Sequence, residues 1–350
     1  MVEKRLNIKD VARSAGVHAS TVSRVLNPET RSMVSAEVTE KVLRIAAELG
    51  YRRNPLASGL RTRRSMTVGV LIPDLSNPVF PPIVRGIERA LGAEGYTSIL
   101  ADSDNDAGNN CSILEKMKAR HVDGLIMATA HRKDPVVEEC IQQDIPFVLV
   151  NRTVDGQSVM AVINNDESGI RLALTHLLEL GHQRIAYVGG PQTTSTGYIR
   201  YRAFLATAQA ADLKIDRDLI GNARGFSELA GYQCLCDILK NRKRFTAVVS
   251  ANDLLALGCY DALKEKGLRC PEDVSVTGFN DMPFVNRFAP PLTTLHIPHY
   301  DLGVQAAQLL LERIREPDKA AKTIKLEPRL VVRHSTAVPP KRRAAGKTGR

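Results

Sequence analysis

At 350 residues, 43% hydrophobic and 25% charged, the chain is too long for one ordinary domain and too apolar for a disordered one. No stretch approaches the ~20 apolar residues of a membrane span, and Met1-Val2-Glu3-Lys4-Arg5-Leu6-Asn7 has no apolar signal-peptide core, so a cytoplasmic protein without a membrane partner is expected. The net charge of +10 is concentrated at the ends: residues 1–64 carry thirteen Lys/Arg against six Asp/Glu, residues 339–350 carry five basic side chains and no acid, and the middle is near balance. A basic N-terminal segment attracts a polyanion; the tail, rich in Pro, Gly, Ala, Lys and Arg, reads as a disordered extension.

In chain order, the first segment to about Tyr51 shows three short helical patterns and no strand. Ile8, Val11 and Ala12 share one helical face, Gly16 breaks the pattern, Thr21–Leu26 resumes it, and a third helix is predicted over about Ser35–Leu49 with Gly50 as its stop. Gly16 stands where two helices must turn sharply and a Cβ would restrict the backbone. Asn54 suits a helix N-cap and Pro55 a first helical position, so 55–61 is written to start a helix of about two turns. Such a short helix, weakened by Gly59 and by the mutual repulsion of Arg61, Arg63 and Arg64, is expected to form only on DNA.

From Thr67 the texture changes to short apolar runs alternating with amphipathic helices. The runs are Val68–Ile72, Ser98–Ala101, Gly124–Ala128, Phe147–Val150, Ala161–Ile163, Ile185–Val188, Ala247–Ser250 and Val274–Thr277. Helices such as 166–180, stopped by Gly181, lie between them. Near-continuous Val/Ile runs separated by helices mean parallel strands covered on both faces. There are too many units for one sheet, so two α/β subdomains are predicted, roughly 65–164 and 165–294, with the chain after Leu295 crossing back. Ligands in such sheets sit beyond the carboxyl ends of the strands, which here carry Pro73-Asp74, Asn151-Arg152, Asn252-Asp253 and Asn280-Asp281.

Asn7-Ile8-Lys9-Asp10-Val11-Ala12-Arg13-Ser14-Ala15-Gly16-Val17-His18-Ala19-Ser20-Thr21-Val22-Ser23-Arg24-Val25-Leu26-Asn27 closely resembles the helix-turn-helix of the LacI/GalR family of transcription regulators. Asn54-Pro55 with Ala57-Ser58-Gly59-Leu60-Arg61 resembles that family's hinge helix. Val122–Ile126, Leu180-Gly181-His182, Ala251–Gly258, Val276–Asp281 and Pro291–Thr294 look like its later landmarks in the expected order, so the resemblance covers nearly the whole chain. It implies a small all-α DNA-binding domain plus an α/β sensor domain like periplasmic sugar-binding proteins, of two parallel-sheet subdomains. The expected divisions are 1–53 for DNA binding, 54–64 for the hinge, 65–338 for effector binding and dimerisation, and 339–350 for the basic tail. Within the sensor, 65–164 and 296–322 are assigned to one subdomain and 165–295 and 323–338 to the other.

By the same resemblance Ala19, Ser20 and Arg24 fall on base-reading positions, and Thr21, Ser23 and Asn27 on phosphate-contacting ones. Leu60 is the expected minor-groove wedge, with Arg61 beside it. Small hydroxyls that bond phosphate and an Arg that reads guanine suit a helix entering the major groove. His18 stands where the family usually has a Ser N-cap; it is a poorer cap and a position open to a phosphate contact. For the effector, the resemblance nominates Phe80, Arg152, Arg200, Phe226, Asn252 and Asn280, a set that supplies aromatic faces and convergent hydrogen-bonding groups. Asn280 replaces the Asp of many relatives.

The expected function is a sequence-specific transcription regulator, a repressor, acting as a homodimer on a near-palindromic operator and controlled by a sugar, sugar acid or polyol. No apolar heptad run follows residue 330, so no C-terminal coiled coil is expected to build a tetramer. An enzyme is the first rival, but no G-x-G-x-x-G after a strand, no Walker motif, no G-x-S-x-G and no H-E-x-x-H occurs. A free sugar-binding protein is the second, and the basic helical N-terminus argues against it. The six cysteines form no C-x-x-C pair, so no metal or other cofactor is expected and the thiols are read as reduced.

Overall fold

A computed structural model describes residues 6–27, 30–51 and 64–340; the predicted hinge helix 55–61, with Leu60 and Arg61, and the basic tail from 341 lie outside the described residues. The chain divides into two compact units, Met1–Ser65 and Met66–Arg350.

In the first unit, α1 (Ile8–Ala15) opens with a reciprocal cap: Asn7 Oδ1 accepts from Lys9 N at 2.9 Å and Asp10 N at 3.3 Å, while Asp10 Oδ2 accepts from Asn7 N at 2.9 Å. It ends at Gly16, whose φ of +66° is the left-handed conformation that the sharp turn requires. Helices α2 (Ala19–Val25) and α3 (Ala36–Glu48) follow. All three meet over a core of small side chains: Val11, Ala12, Ala15, Val22, Val25, Val42 and Ala46. Such a core lets short helices approach closely, and it leaves the outer face of α2 uncommitted.

The second unit is two lobes. In the first, six parallel strands run in the order β11 (Thr323–Leu326), β5 (Ala161–Asn164), β4 (Phe147–Val150), β3 (Gly124–Met127), β1 (Thr67–Ile72), β2 (Thr97–Asp102). Its central strands are apolar along nearly their whole length because both faces are covered: Val68, Val70 and Ile72 join one core while Leu71 joins the other. In the second lobe four parallel strands are ordered β7 (Ile220–Asn222), β6 (Ile185–Gly189), β8 (Ala247–Ser250), β9 (Ser275–Thr277). A short antiparallel pair, β10 (Thr294–His296) with β12 (Arg329–Val331), lies where the chain passes between lobes.

One expectation is corrected. Residues 323–326, grouped above with the C-terminal subdomain, form the edge strand of the first lobe, with Thr323 beside Ala161 and Leu326 beside Asn164. Only later does the chain join the second lobe, where Ser335 O accepts from Val276 N at 2.8 Å and Ser335 Oγ donates to Val276 O at 2.6 Å. The edge strand's alternating exposure gives it none of the continuous apolar character by which the central strands are recognised. All six cysteines are unpaired thiols. Among the described residues no helix is long and apolar enough to cross a membrane.

Candidate functional site

Two surfaces carry the residues singled out above. On α2, Val22 and Val25 are buried, Ser20 and Arg24 are exposed, and Ala19, Thr21 and Ser23 are half-buried. His18 is the N-cap: its Nδ1 accepts from Ser20 N at 3.3 Å and lies 2.8 Å from Ser20 Oγ, so the helix starts at Ala19 despite the poorer capping residue. The far end is tied down by Thr30, whose Oγ1 donates to Arg24 O at 3.1 Å, and by Arg31, whose Nε donates to Val25 O at 2.9 Å. Among the described residues the Arg24 side chain has no ion pair, leaving its planar fork free. Asn27 closes the helix-turn-helix at the far end of α2. It is only 9% exposed, and its carbonyl accepts from Thr30 N at 3.1 Å and Arg31 N at 2.9 Å, so it forms the turn after the helix.

The other six side chains come from points up to 200 residues apart and line one cavity: Phe80, Arg152, Arg200, Phe226, Asn252 and Asn280, joined by Asn77, Val79, Asn151 and Thr196. Each follows the carboxyl end of a parallel strand: β1, β4, β6, β7, β8 or β9. Phe80 opens helix α4 (Phe80–Ala93), with Asn77 Oδ1 accepting from Val79 N at 3.1 Å just before it. Asn252 caps the next helix of its lobe, its Oδ1 accepting from Leu255 N at 2.8 Å, so its amide N–H groups remain for the cavity. Phe226 closes against Gly190, where a Cβ would collide with the ring.

Arg200 is 3% exposed and fully supported. Its Nε and Nη2 donate to Asp166 Oδ1 at 2.9 and 2.8 Å, Nη1 donates to Ala251 O at 2.7 Å, and its Cζ lies 3.8 Å from the Phe279 ring centroid. Two of its five N–H donors are therefore left over. Burial pushes the Asp166 carboxyl up, against the pull of Arg200. Arg152 differs in every respect. It is 6% exposed and, among the described residues, has no ion pair, and its buried Nε lacks any hydrogen-bond partner. Burial, then Arg200, lower its pKa to about 10, which keeps it charged at neutral pH. The γ-turn that aims it, with Arg152 N donating to Val150 O at 2.7 Å, requires the left-handed Asn151, φ +64°.

The inner cavity is about 30 Å³, room for little more than one water, and it shares Asn77, Phe80, Arg152 and Phe226 with an outer chamber of about 250 Å³. Its mouth is drawn shut between lobes: Thr153 N donates to Ser195 Oγ at 2.9 Å and Arg132 N to Thr193 O at 2.9 Å. A larger depression of about 950 Å³ lies along the outer edge of the second lobe, where its charged lining pairs with itself, as in Lys266–Glu265 at 2.9 Å and Lys240–Asp237 at 2.7 Å. The strand ends, not the volume, mark the chemistry. Asn77, Val79 and Thr196 were missed by sequence reasoning, although Thr196 lies one helical turn before Arg200; Asn151 had been noted only as part of a polar strand end. Among the described residues no cluster of three or more His, Cys, Asp or Glu is placed to hold a metal.

Residues 7–54 match the bacterial regulatory proteins of the lacI family, and residues 174–336 match the periplasmic binding protein-like domain. The chain is 34% identical over 330 residues to the HTH-type transcriptional repressor PurR of Histophilus somni (strain 129Pt), covering 94% of this chain and 98% of that protein. The lac repressor dimer bound to operator and the anti-inducer ONPF superposes with a TM-score of 0.85 at 28% identity, over 95% of this chain and all (100%) of that one. A LacI family transcriptional regulator from Enterococcus faecium with bound ribose gives a TM-score of 0.68 at 34% identity, over 78% of this chain and 99% of that one.

Proposed function

The chain belongs to the LacI family of bacterial regulatory proteins, and we propose that it is a cytoplasmic homodimeric repressor whose grip on a near-palindromic operator is set by a small effector in the cleft. Six side chains from the ends of six strands, contributed by both lobes, converge on one closable cavity, and that observation carries the reading. A ligand that binds the closed arrangement better than an open one shifts the balance between them, which is what regulation requires. One helix-turn-helix covers a half-site, so useful affinity needs two copies, as in the solved lac repressor dimer on its operator. Ala19, Ser20 and Arg24 read bases and Thr21, Ser23 and Asn27 meet phosphates in this reading, which the exposure of Ser20 and Arg24 on α2 supports. Leu60 and Arg61 supply minor-groove contacts by the family resemblance. Sugars, sugar acids and polyols suit a cleft of amides, a hydroxyl, two guanidinium groups and two aromatic rings.

The test is fluorescence anisotropy of the full chain on near-palindromic fragments from beside its gene, with and without a metabolite panel. Nanomolar binding that one metabolite class shifts supports the reading. Equal affinity for all fragments, with no metabolite response, overturns it.

A further inference from the structure

The charge balance of the cleft points to the chemistry of its occupant, an inference that rests on the reading of this cleft as the effector site. Ten residues line the inner cavity; two are arginines and none is acidic. Asp166 answers Arg200. Among the described residues nothing answers Arg152: no carboxylate pairs with it, its Nε has no acceptor, and Arg200 adds repulsion. A buried charge is tolerated where it is paired or hydrogen-bonded, so an unpaired one at a ligand site is half of a contact that a ligand completes.

The neighbours do not supply the missing charge. Asn151 and Asn280 are amides, and in both the left-handed backbone holds the side chain at the cavity, φ +64° and +120°. The outer chamber has one carboxylate, Asp74, whose Oδ1 already accepts from Ser76 N at 2.8 Å and Ser76 Oγ at 2.6 Å. Arg152 borders both the inner and the outer space, and the outer chamber adds the exposed Arg224 and no further carboxylate, so the approach to Arg152 also favours an anion.

We propose that the effector is an anion, a small polyhydroxylated molecule carrying a carboxylate or a phosphate, and that Arg152 is its counter-charge. The hydroxyls meet the amide N–H groups of Asn252, the amide of Asn280 and the two spare N–H donors of Arg200, between the rings of Phe80 and Phe226. A guanidinium receives a carboxylate or phosphate through two parallel N–H bonds, a geometry a neutral hydroxyl does not fill.

The experiment uses the full chain at constant ionic strength with two matched pairs: D-gluconate against D-glucose, and D-ribose 5-phosphate against D-ribose. Calorimetry reads affinity and thermal melting reads stabilisation. The expected result is that the anionic member of at least one pair binds about tenfold or more tightly than its neutral twin, a factor ordinary for one charge-assisted pair. The pair that responds tells carboxylate from phosphate. Arg152→Met should erase the preference and Arg152→Lys should keep part of it. With no sugar present, Arg152→Met should melt above the parent because the unanswered charge is gone. A neutral twin that binds as well as its anion overturns the proposal, as does Arg152→Met melting at or below the parent; if none of the four sugars binds, that melting comparison decides. Phe226→Ala separates the two levels. A neutral sugar lost in Phe226→Ala but untouched by Arg152→Met leaves the cleft as the effector site and removes only the anion. An anionic sugar that binds Phe226→Ala undiminished removes the cleft itself.

Discussion

The reading helix and the effector cleft use the same kinds of side chain in opposite ways. On α2 the polar groups stand in water on a scaffold of small apolar residues, and Arg24 is unencumbered. In the cleft the polar groups are nearly out of water, and Arg200 is held by an ion pair, a carbonyl and an aromatic ring. An exposed Arg can be removed without harm to the fold, whereas a buried one is part of it. A surface that must fit many DNA sequences weakly and one strongly gains from side chains that bind nothing beforehand. A pocket that must hold one small molecule gains from groups fixed in advance.

The largest expected effect breaks the comparison if it fails. Arg200→Met strands Asp166 in the interior, and removal of one partner of a buried pair costs ~3–5 kcal/mol. Urea unfolding of the full chain, followed in the α/β unit, should show that loss, and the double variant Arg200→Met/Asp166→Leu should recover much of it. Arg24→Ala should leave the same transition within about 0.5 kcal/mol. A comparable loss from both substitutions would erase the distinction between the two regions.

Next in size is the effect on DNA. If Arg24 reads a base, Arg24→Ala costs ~1–3 kcal/mol on the operator and much less on random DNA. Anisotropy titrations at fixed salt on both duplexes check this. Equal losses would reduce Arg24 to a phosphate contact.

How far these features were legible in the sequence follows from the same contrast. The helix-turn-helix is local, so its apolar period, Gly16 and the α2 residues could be read within twenty-odd positions. The central strands were legible because burial on both faces makes them continuously apolar. β7, β11 and β12 were not, being three or four residues long and partly exposed. Polar residues at strand ends announced a cleft, but Asp166 and Arg200 lie on different helices, and no periodicity reveals that one neutralises the other. The bare charge on Arg152 is likewise visible only once its surroundings are packed.

A third test uses pH. His299, buried beside His296, Arg200 and Asp281, has an unpartnered Nε2, and burial lowers its pKa from 6.5 to about 3. The native state thus refuses a proton that the unfolded chain accepts. Its contribution is intact above pH 6.5 and falls by about 1.4 kcal/mol per pH unit below that, toward pH 3. Asp253, raised to about 6 by burial, works in the opposite sense over part of that range, so the comparison is between the parent and His299→Gln. Their stability difference should narrow as pH falls from 6.5 to 5. A constant difference would mean that His299 titrates normally.

The smallest effect probes the start of the reading helix. His18 caps through a ring nitrogen at 3.3 Å from Ser20 N and at the same time holds Ser20 Oγ at 2.8 Å. For Nδ1 to accept from the amide, the ring proton must sit on Nε2, so capping selects one tautomer. A Ser at this position would cap with an oxygen that needs no such selection and would release the Ser20 hydroxyl, which stands on the exposed side of α2. His18→Ser should therefore stabilise the first unit by about 0.5 kcal/mol, within the usual span of N-cap exchanges. The slope of log affinity against log salt should stay the same, because a capping imidazole neutralises no phosphate. Melting of the full chain and a salt titration on the operator read the two quantities separately. Should the slope drop by about one while the melting point rises, the imidazole would be touching the backbone of the DNA as well as capping the helix, and the exposed face would extend one residue further than the geometry of α2 alone indicates.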